Sequence, residues 1–121
     1  MPKYHTFDDV FAAIEYADVI LSNDGESKKI AIDTRASNGD TPLHVVGWWS
    51  DAEAAKLLVE AGADVNAIGD MSVTPLGVAV RQRNVTMIEL LLAAGADPDH
   101  VDEFGIEALP DNLRGINLRT L

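Results

Sequence analysis

Three histidines, His5, His44 and His100, are the side chains best suited to proton transfer or metal binding near neutral pH. No two of them lie four residues apart, so the helical histidine pair that holds zinc is missing. His100 falls beside Asp97, Asp99 and Asp102, but the spacing is not that of a calcium loop and reads as a solvated acidic turn. Gly25-Glu26-Ser27-Lys28-Lys29 lacks the remaining spacing of a phosphate loop. The chain has no cysteine, which excludes thiolate metal sites, disulfides and a cysteine nucleophile. Its serines have no base that the sequence places beside them. No catalytic residue, metal or cofactor is therefore expected, and the chemistry left is recognition. The residues that point to it are Trp48 and Trp49, adjacent and the only tryptophans, a residue type enriched in interface hot spots.

The charge balance narrows the partner. Twenty acidic against nine basic side chains give a formal net charge of −11 over 121 residues. Phosphate-rich partners would be repelled, so no nucleic acid is expected. A basic protein would be attracted by a field of this sign, although solubility alone also accounts for it. The hydrophobic fraction, 47%, is that of a folded chain, and the length suits one domain. Met1 to Val10 carries Asp8 and Asp9 and does not read as a secretory signal. No stretch reaches the ~18 apolar residues of a membrane span. A soluble, cytoplasmic protein is the expectation.

The elements that position these residues recur. Thr41-Pro42-Leu43 returns as Thr74-Pro75-Leu76, and Ala61-Gly62-Ala63-Asp64 as Ala94-Gly95-Ala96-Asp97, both 33 residues on. Asp33, Asn66 and Asp99 share this period, as do Gly39, Ser72 and Gly105, and Leu43, Leu76 and Leu109. One period reads as a physical unit. Asn38-Gly39-Asp40 is a turn, Thr41 an N-cap, and Pro42 the first residue of a short helix to Trp48. Ser50 or Asp51 caps a second helix with Ala54, Ala55, Leu57 and Leu58 on its apolar stripe. Gly62 ends it, and Ala63 to Ala67 is expected to run extended to the next turn. Thr74-Pro75 and Asn84 open the next two helices, the latter carrying Met87, Ile88, Leu90, Leu91 and Leu92 up to Gly95. Each helix pair leaves one face uncovered, so neighbours must stack.

Gly39-Asp40-Thr41-Pro42-Leu43-His44 and Leu57-Leu58-Val59-Glu60-Ala61-Gly62-Ala63-Asp64-Val65-Asn66 resemble the signatures of the ankyrin repeat family, over about residues 30 to 109. The resemblance implies an all-α solenoid of stacked helix–turn–helix units joined by β-turn loops. The expected division is an N-terminal cap over 1–35, units at 36–68 and 69–101, and a degenerate C-terminal cap over 102–121. The first cap reads as an amphipathic helix with Phe7, Val10, Phe11, Ile14, Ile20 and Leu21, opened by Thr6 with Asp9, then a polar loop over 23–29. At the other end Glu107-Ala108 replace Thr-Pro, and Pro110 blocks an ordinary first helix.

The resemblance also implies a concave binding face made of turn tips and first-helix ends. Position by position these are Ser37, Asn38 and Asp40; Asp70, Met71 and Val73; Glu103, Phe104 and Ile106; with Trp48, Trp49, Arg81 and Gln82 at the helix ends. Met71, Val73, Phe104 and Ile106 are expected to form an exposed apolar patch with a tryptophan, rimmed by Asp40, Asp70, Asp102 and Glu103. Adjacent helical residues point about 100° apart, so at most one tryptophan can face the core fully. It then packs under the N-terminal helix while the other is half covered, or one of the two anchors a partner. His44 is expected to hydrogen-bond the turn. The size and charge are similar to those of bacterial immunity proteins, which cover the active site of a partner toxin. A regulatory or scaffold subunit that tunes an enzyme is the other reading. No oligomeric state follows from the sequence.

Overall fold

Thr41 sets the start of the first helix by a reciprocal cap. Its hydroxyl oxygen accepts from the His44 N–H at 3.5 Å, while the Thr41 N–H donates to His44 Nδ1 at 3.2 Å. The helix that follows, α1, spans Pro42–Trp48. Asp51 and not Ser50 caps α2, Ala52–Glu60, accepting from the Ala54 N–H at 3.1 Å. The pattern repeats in α3, Pro75–Arg81, capped by Thr74, and in α4, Val85–Ala93, capped by Asn84. Gly62 and Gly95, both at φ +98°, turn the chain away after α2 and α4. These features belong to a computed structural model that describes residues 9–10, 32–110 and 113.

The helices stack by period: α1 pairs with α2 and α3 with α4, while α1 packs on α3 and α2 on α4. Leu43, Val46, Ala55 and Leu58 from the first pair and Leu76, Ala79, Met87, Ile88 and Leu91 from the second share one buried core. Each buried large side chain contributes about 1.5–3 kcal/mol by leaving water. Gly47 lets α1 and α3 approach: a Cβ there would sit 2.9 Å from Val78 Cγ1. Val10 is buried in the same core, as its place on the expected apolar stripe requires. The other residues of that stripe, the Thr6 cap, the polar loop over 23–29 and His5 lie outside the described residues.

Polar contacts tie one period to the next. Asn84 Nδ2 donates to the Ser50 carbonyl at 3.1 Å, and Asn66 Nδ2 to the Gly95 carbonyl at 3.2 Å. Asn66 Oδ1 accepts from the Asp97 N–H at 2.7 Å. The segment Ala63 to Ala67 is not extended. Asp64 Oδ1 accepts from the Asn66 N–H at 2.9 Å and folds it into a turn. Among the described residues the only bridge of strand type is the antiparallel one between Val101 and Glu107.

Candidate binding surface

Three turns project from the stack, one ahead of each helix pair and a third after α4. In the first, Ala36 N–H donates to Asp40 O at 2.7 Å and Gly39 N–H to Ala36 O at 2.9 Å. Arg35 Nη1 clamps it to the next turn, donating to the carbonyls of Gly39 at 2.8 Å and Ile68 at 2.6 Å. Beside it α1 ends, with Trp48 its last residue and Trp49 its C-cap. A hollow of about 240 Å³ opens between turn and helix end, lined by Ala36, Ser37, Asn38, Asp40, Val45, Trp48 and Trp49. Neither tryptophan is buried: Trp48 is half-buried and Trp49 is 39% exposed. Both line this hollow, although Trp49 keeps helical backbone geometry, with its N–H donating to Val45 O at 3.1 Å.

Three acidic or apolar residues expected on the surface are buried instead. Asp40 is 4% exposed, because its Oδ1 accepts from the Asp70 N–H at 2.9 Å across the repeat boundary. Val73 is 2% exposed, since its carbonyl is held by His44 and its side chain packs inward ahead of the Thr74 cap. Asp102 is buried because its Oδ1 accepts from the N–H groups of Phe104 at 2.8 Å and Ile106 at 3.1 Å, and its Oδ2 from Arg81 Nη2 at 2.7 Å. Burial alone would raise the Asp102 carboxyl. The Arg81 guanidinium and the two backbone donors outweigh it and hold the group below its ordinary range.

The remaining expected contact residues stay accessible. Ser37, Asn38, Asp70, Gln82 and Glu103 are exposed and Met71 is half-buried. Arg81 reaches solvent but is committed to Asp102. Phe104 and Ile106, 61% and 49% exposed, are open apolar residues on the third turn. Glu103 N–H donates to Met71 O at 3.2 Å, which joins that turn to the second. Sequence reasoning missed Ile68 and Val101, exposed apolar residues one period apart in the register of Arg35. Their shared register was the available signal.

The two described histidines, His44 and His100, serve the fold. His44 Nε2 faces the Val73 carbonyl at 2.8 Å and Nδ1 faces the Thr41 hydroxyl at 2.8 Å. Burial pushes its pKa down, against the opposing pull of the Val73 carbonyl and Asp40. His100 Nε2 donates to the Ser72 carbonyl at 2.7 Å, and Asp97 Oδ1 accepts from the Asp99 N–H at 2.9 Å. Among the described residues no three His, Cys, Asp or Glu side chains converge to hold a metal ion. No described helix is long and apolar enough to cross a membrane.

Known proteins match this architecture. The family model described as ankyrin repeats in three copies matches residues 17–102. The ankyrin repeat and LEM domain-containing protein 1 homolog of Caenorhabditis elegans is 46% identical over 56 residues, 46% of this chain and 8% of that protein. Mouse protein phosphatase 1 regulatory subunit 27 is 31% identical over 87 residues, 72% of this chain and 55% of that protein. Human B-cell lymphoma 3 protein is 34% identical over 84 residues, 65% of this chain and 18% of that protein. The chain thus spans less than two thirds of each of these relatives. Helix pairs that recur every 33 residues, Thr-Pro caps, projecting turns and the family match lead to one conclusion: the chain belongs to the ankyrin repeat family.

Proposed function

We propose that the chain is a non-enzymatic protein-binding module whose contact face runs from Trp48 and Trp49 across the turn tips to Phe104 and Ile106. The observation that carries this is Trp49, a large aromatic left 39% exposed beside a side-chain-sized hollow. Asn38, Asp70, Met71, Gln82 and Glu103 supply the less energetic part of the contact along the same face. The partner is a basic protein, drawn by the net charge of −11, and binding occludes its active surface as a toxin-neutralising immunity protein does.

A second reading has its own support. The likeness to protein phosphatase 1 regulatory subunit 27 favours a module that tunes an enzyme rather than silences it. Affinity capture on the immobilised chain, with Trp49→Ala and Phe104→Ala as controls, tests the shared part. The expected result is one protein of high isoelectric point whose binding each variant weakens by about 2 kcal/mol. Equal capture by both variants overturns this face. Assay of the captured protein then separates the readings: silent when bound for occlusion, active but altered for regulation.

A further inference from the structure

The hollow between the first turn and the end of α1 has a chemistry that the face as a whole does not specify. Its volume, about 240 Å³, far exceeds the roughly 10–15 Å³ that one water needs, so it is sized for a side chain. Val45 and Ala36 give it apolar surface, two indoles give it π faces, and the acidic residue Asp40, 4% exposed, is among the residues that line it. No basic side chain is among the described residues that line it. Between residues 32 and 110 the only Lys and Arg are Arg35, Lys56, Arg81 and Arg83. Arg35, the nearest in sequence, spends its Nη1 on the carbonyls of Gly39 and Ile68.

We infer that this hollow receives an arginine side chain of the basic partner, its guanidinium against the indoles of Trp48 and Trp49 and its charge facing Asp40. The inference rests on the binding-face reading above and names the group that enters it. Arginine fits better than lysine for a physical reason. The guanidinium is planar and weakly hydrated, so it stacks on an aromatic face at low desolvation cost. Asp40 keeps acceptor capacity for it. Its Oδ1 takes the Asp70 N–H and its Oδ2 a long bond from Asn38 Nδ2 at 3.3 Å, where a carboxylate accepts about four. The summed negative charge of the chain favours a cation over a neutral apolar group in the same space.

The two tryptophans are the only ones in the chain, so their indole N–H resonances report this hollow directly. The full chain, labelled with nitrogen-15, is titrated with acetyl-Gly-Arg-Gly-amide and with its citrulline and lysine counterparts. The expected result is saturable movement of the indole signals with the arginine peptide. The citrulline peptide, of the same shape without the charge, binds at least about tenfold more weakly, and the lysine peptide less tightly than arginine. Trp49→Leu weakens the Trp48 response by about tenfold while the backbone amide spectrum stays dispersed, and Trp49→Phe restores part of it. If Trp49→Leu does not fold, Trp49→Phe against the citrulline comparison decides. Equal binding of arginine and citrulline peptides, equal binding of lysine, or no saturable response overturns the inference. Partner capture that depends on Trp49 without an arginine response sinks the arginine site and leaves the binding face standing. The reverse pattern sinks the face.

Discussion

His44 donates from Nε2 to the Val73 carbonyl at 2.8 Å, across 29 residues of chain. A carbonyl only accepts, so Nε2 carries the proton and Nδ1 is left to accept from Thr41. Protonating Nδ1 would turn that acceptor into a donor aimed at other donors, in a site where the side chain is 0% exposed. Burial accordingly lowers the pKa, and the unfolded chain binds this proton more readily than the folded one. His44 therefore contributes full stability above its ordinary pKa of 6.5, and that contribution is lost as pH falls below it. Urea midpoints measured from pH 7.5 to 5 should fall, and His44→Asn should be less stable with a flatter slope. An unchanged slope in the variant would assign the pH dependence elsewhere.

Asp40 makes the complementary contact, Oδ1 to the Asp70 N–H at 2.9 Å. Asp40→Ala leaves that donor without its partner in a partly buried place and should cost about 1–3 kcal/mol. Asp40→Asn keeps an oxygen at the same position and should cost less than about 1 kcal/mol. Equilibrium urea unfolding resolves the two. Equal losses would mean that the carboxylate charge, and not its hydrogen bond, holds the second turn.

Local signals made the helices legible, and long-range ones hid the surface. Thr41-Pro42 and Thr74-Pro75 mark helix starts because capping is settled within four residues, and α1 ends at Trp48 as expected. Asp40 and Asp102 looked like solvent-facing acids because turn composition implies exposure. Their burial depends on Asp70 and Arg81, 30 and 21 residues away. The Ala63–Ala67 segment was misjudged at short range, where the Asp64 carboxylate bends it. The family register placed Trp48 and Trp49 at the end of the first helix of the unit, and they stand at the end of α1. Their shared hollow was not legible, since helical geometry sends adjacent residues apart and the hollow is completed by Ala36, Ser37, Asn38 and Asp40 of the turn, eight or more residues away.

Gly69 and Gly62 should respond to alanine for different reasons. A Cβ at Gly69 would collide with the Asp40 carboxylate and lie 2.8 Å from His44 Nε2. Both side chains are held by the bonds just described and cannot swing away, so Gly69→Ala should cost about 1–3 kcal/mol. At Gly62 a Cβ meets nothing within 4 Å, but φ is +98°, and the cost is the strained backbone, about 1 kcal/mol. Combining Gly69→Ala with Asp40→Ala separates the two effects. Removing the carboxylate relieves the collision, so the double variant should lose less than the sum of the singles, whereas Gly62→Ala with Asp40→Ala should be additive.

The second turn carries strain that its neighbours avoid. Met71 and Ser72 sit at φ +58° and +59°, where a side chain on Cβ crowds the backbone. One period earlier the same positions are Asn38 and Gly39, and one period later Phe104 and Gly105, so the other two turns place glycine where Ser72 stands. Two successive residues at positive φ are the conformation that Asn-Gly favours. Met71→Asn with Ser72→Gly should therefore stabilise the chain by about 1 kcal/mol, the relieved strain being partly offset by the greater freedom of glycine in the unfolded state. Most of the gain should come from Ser72→Gly, because Met71 also loses half-buried apolar surface on becoming asparagine. Thermal and urea unfolding of the two singles and the pair measure this. A loss of stability in Ser72→Gly would mean that the Ser72 side chain contributes contacts worth more than the strain it imposes.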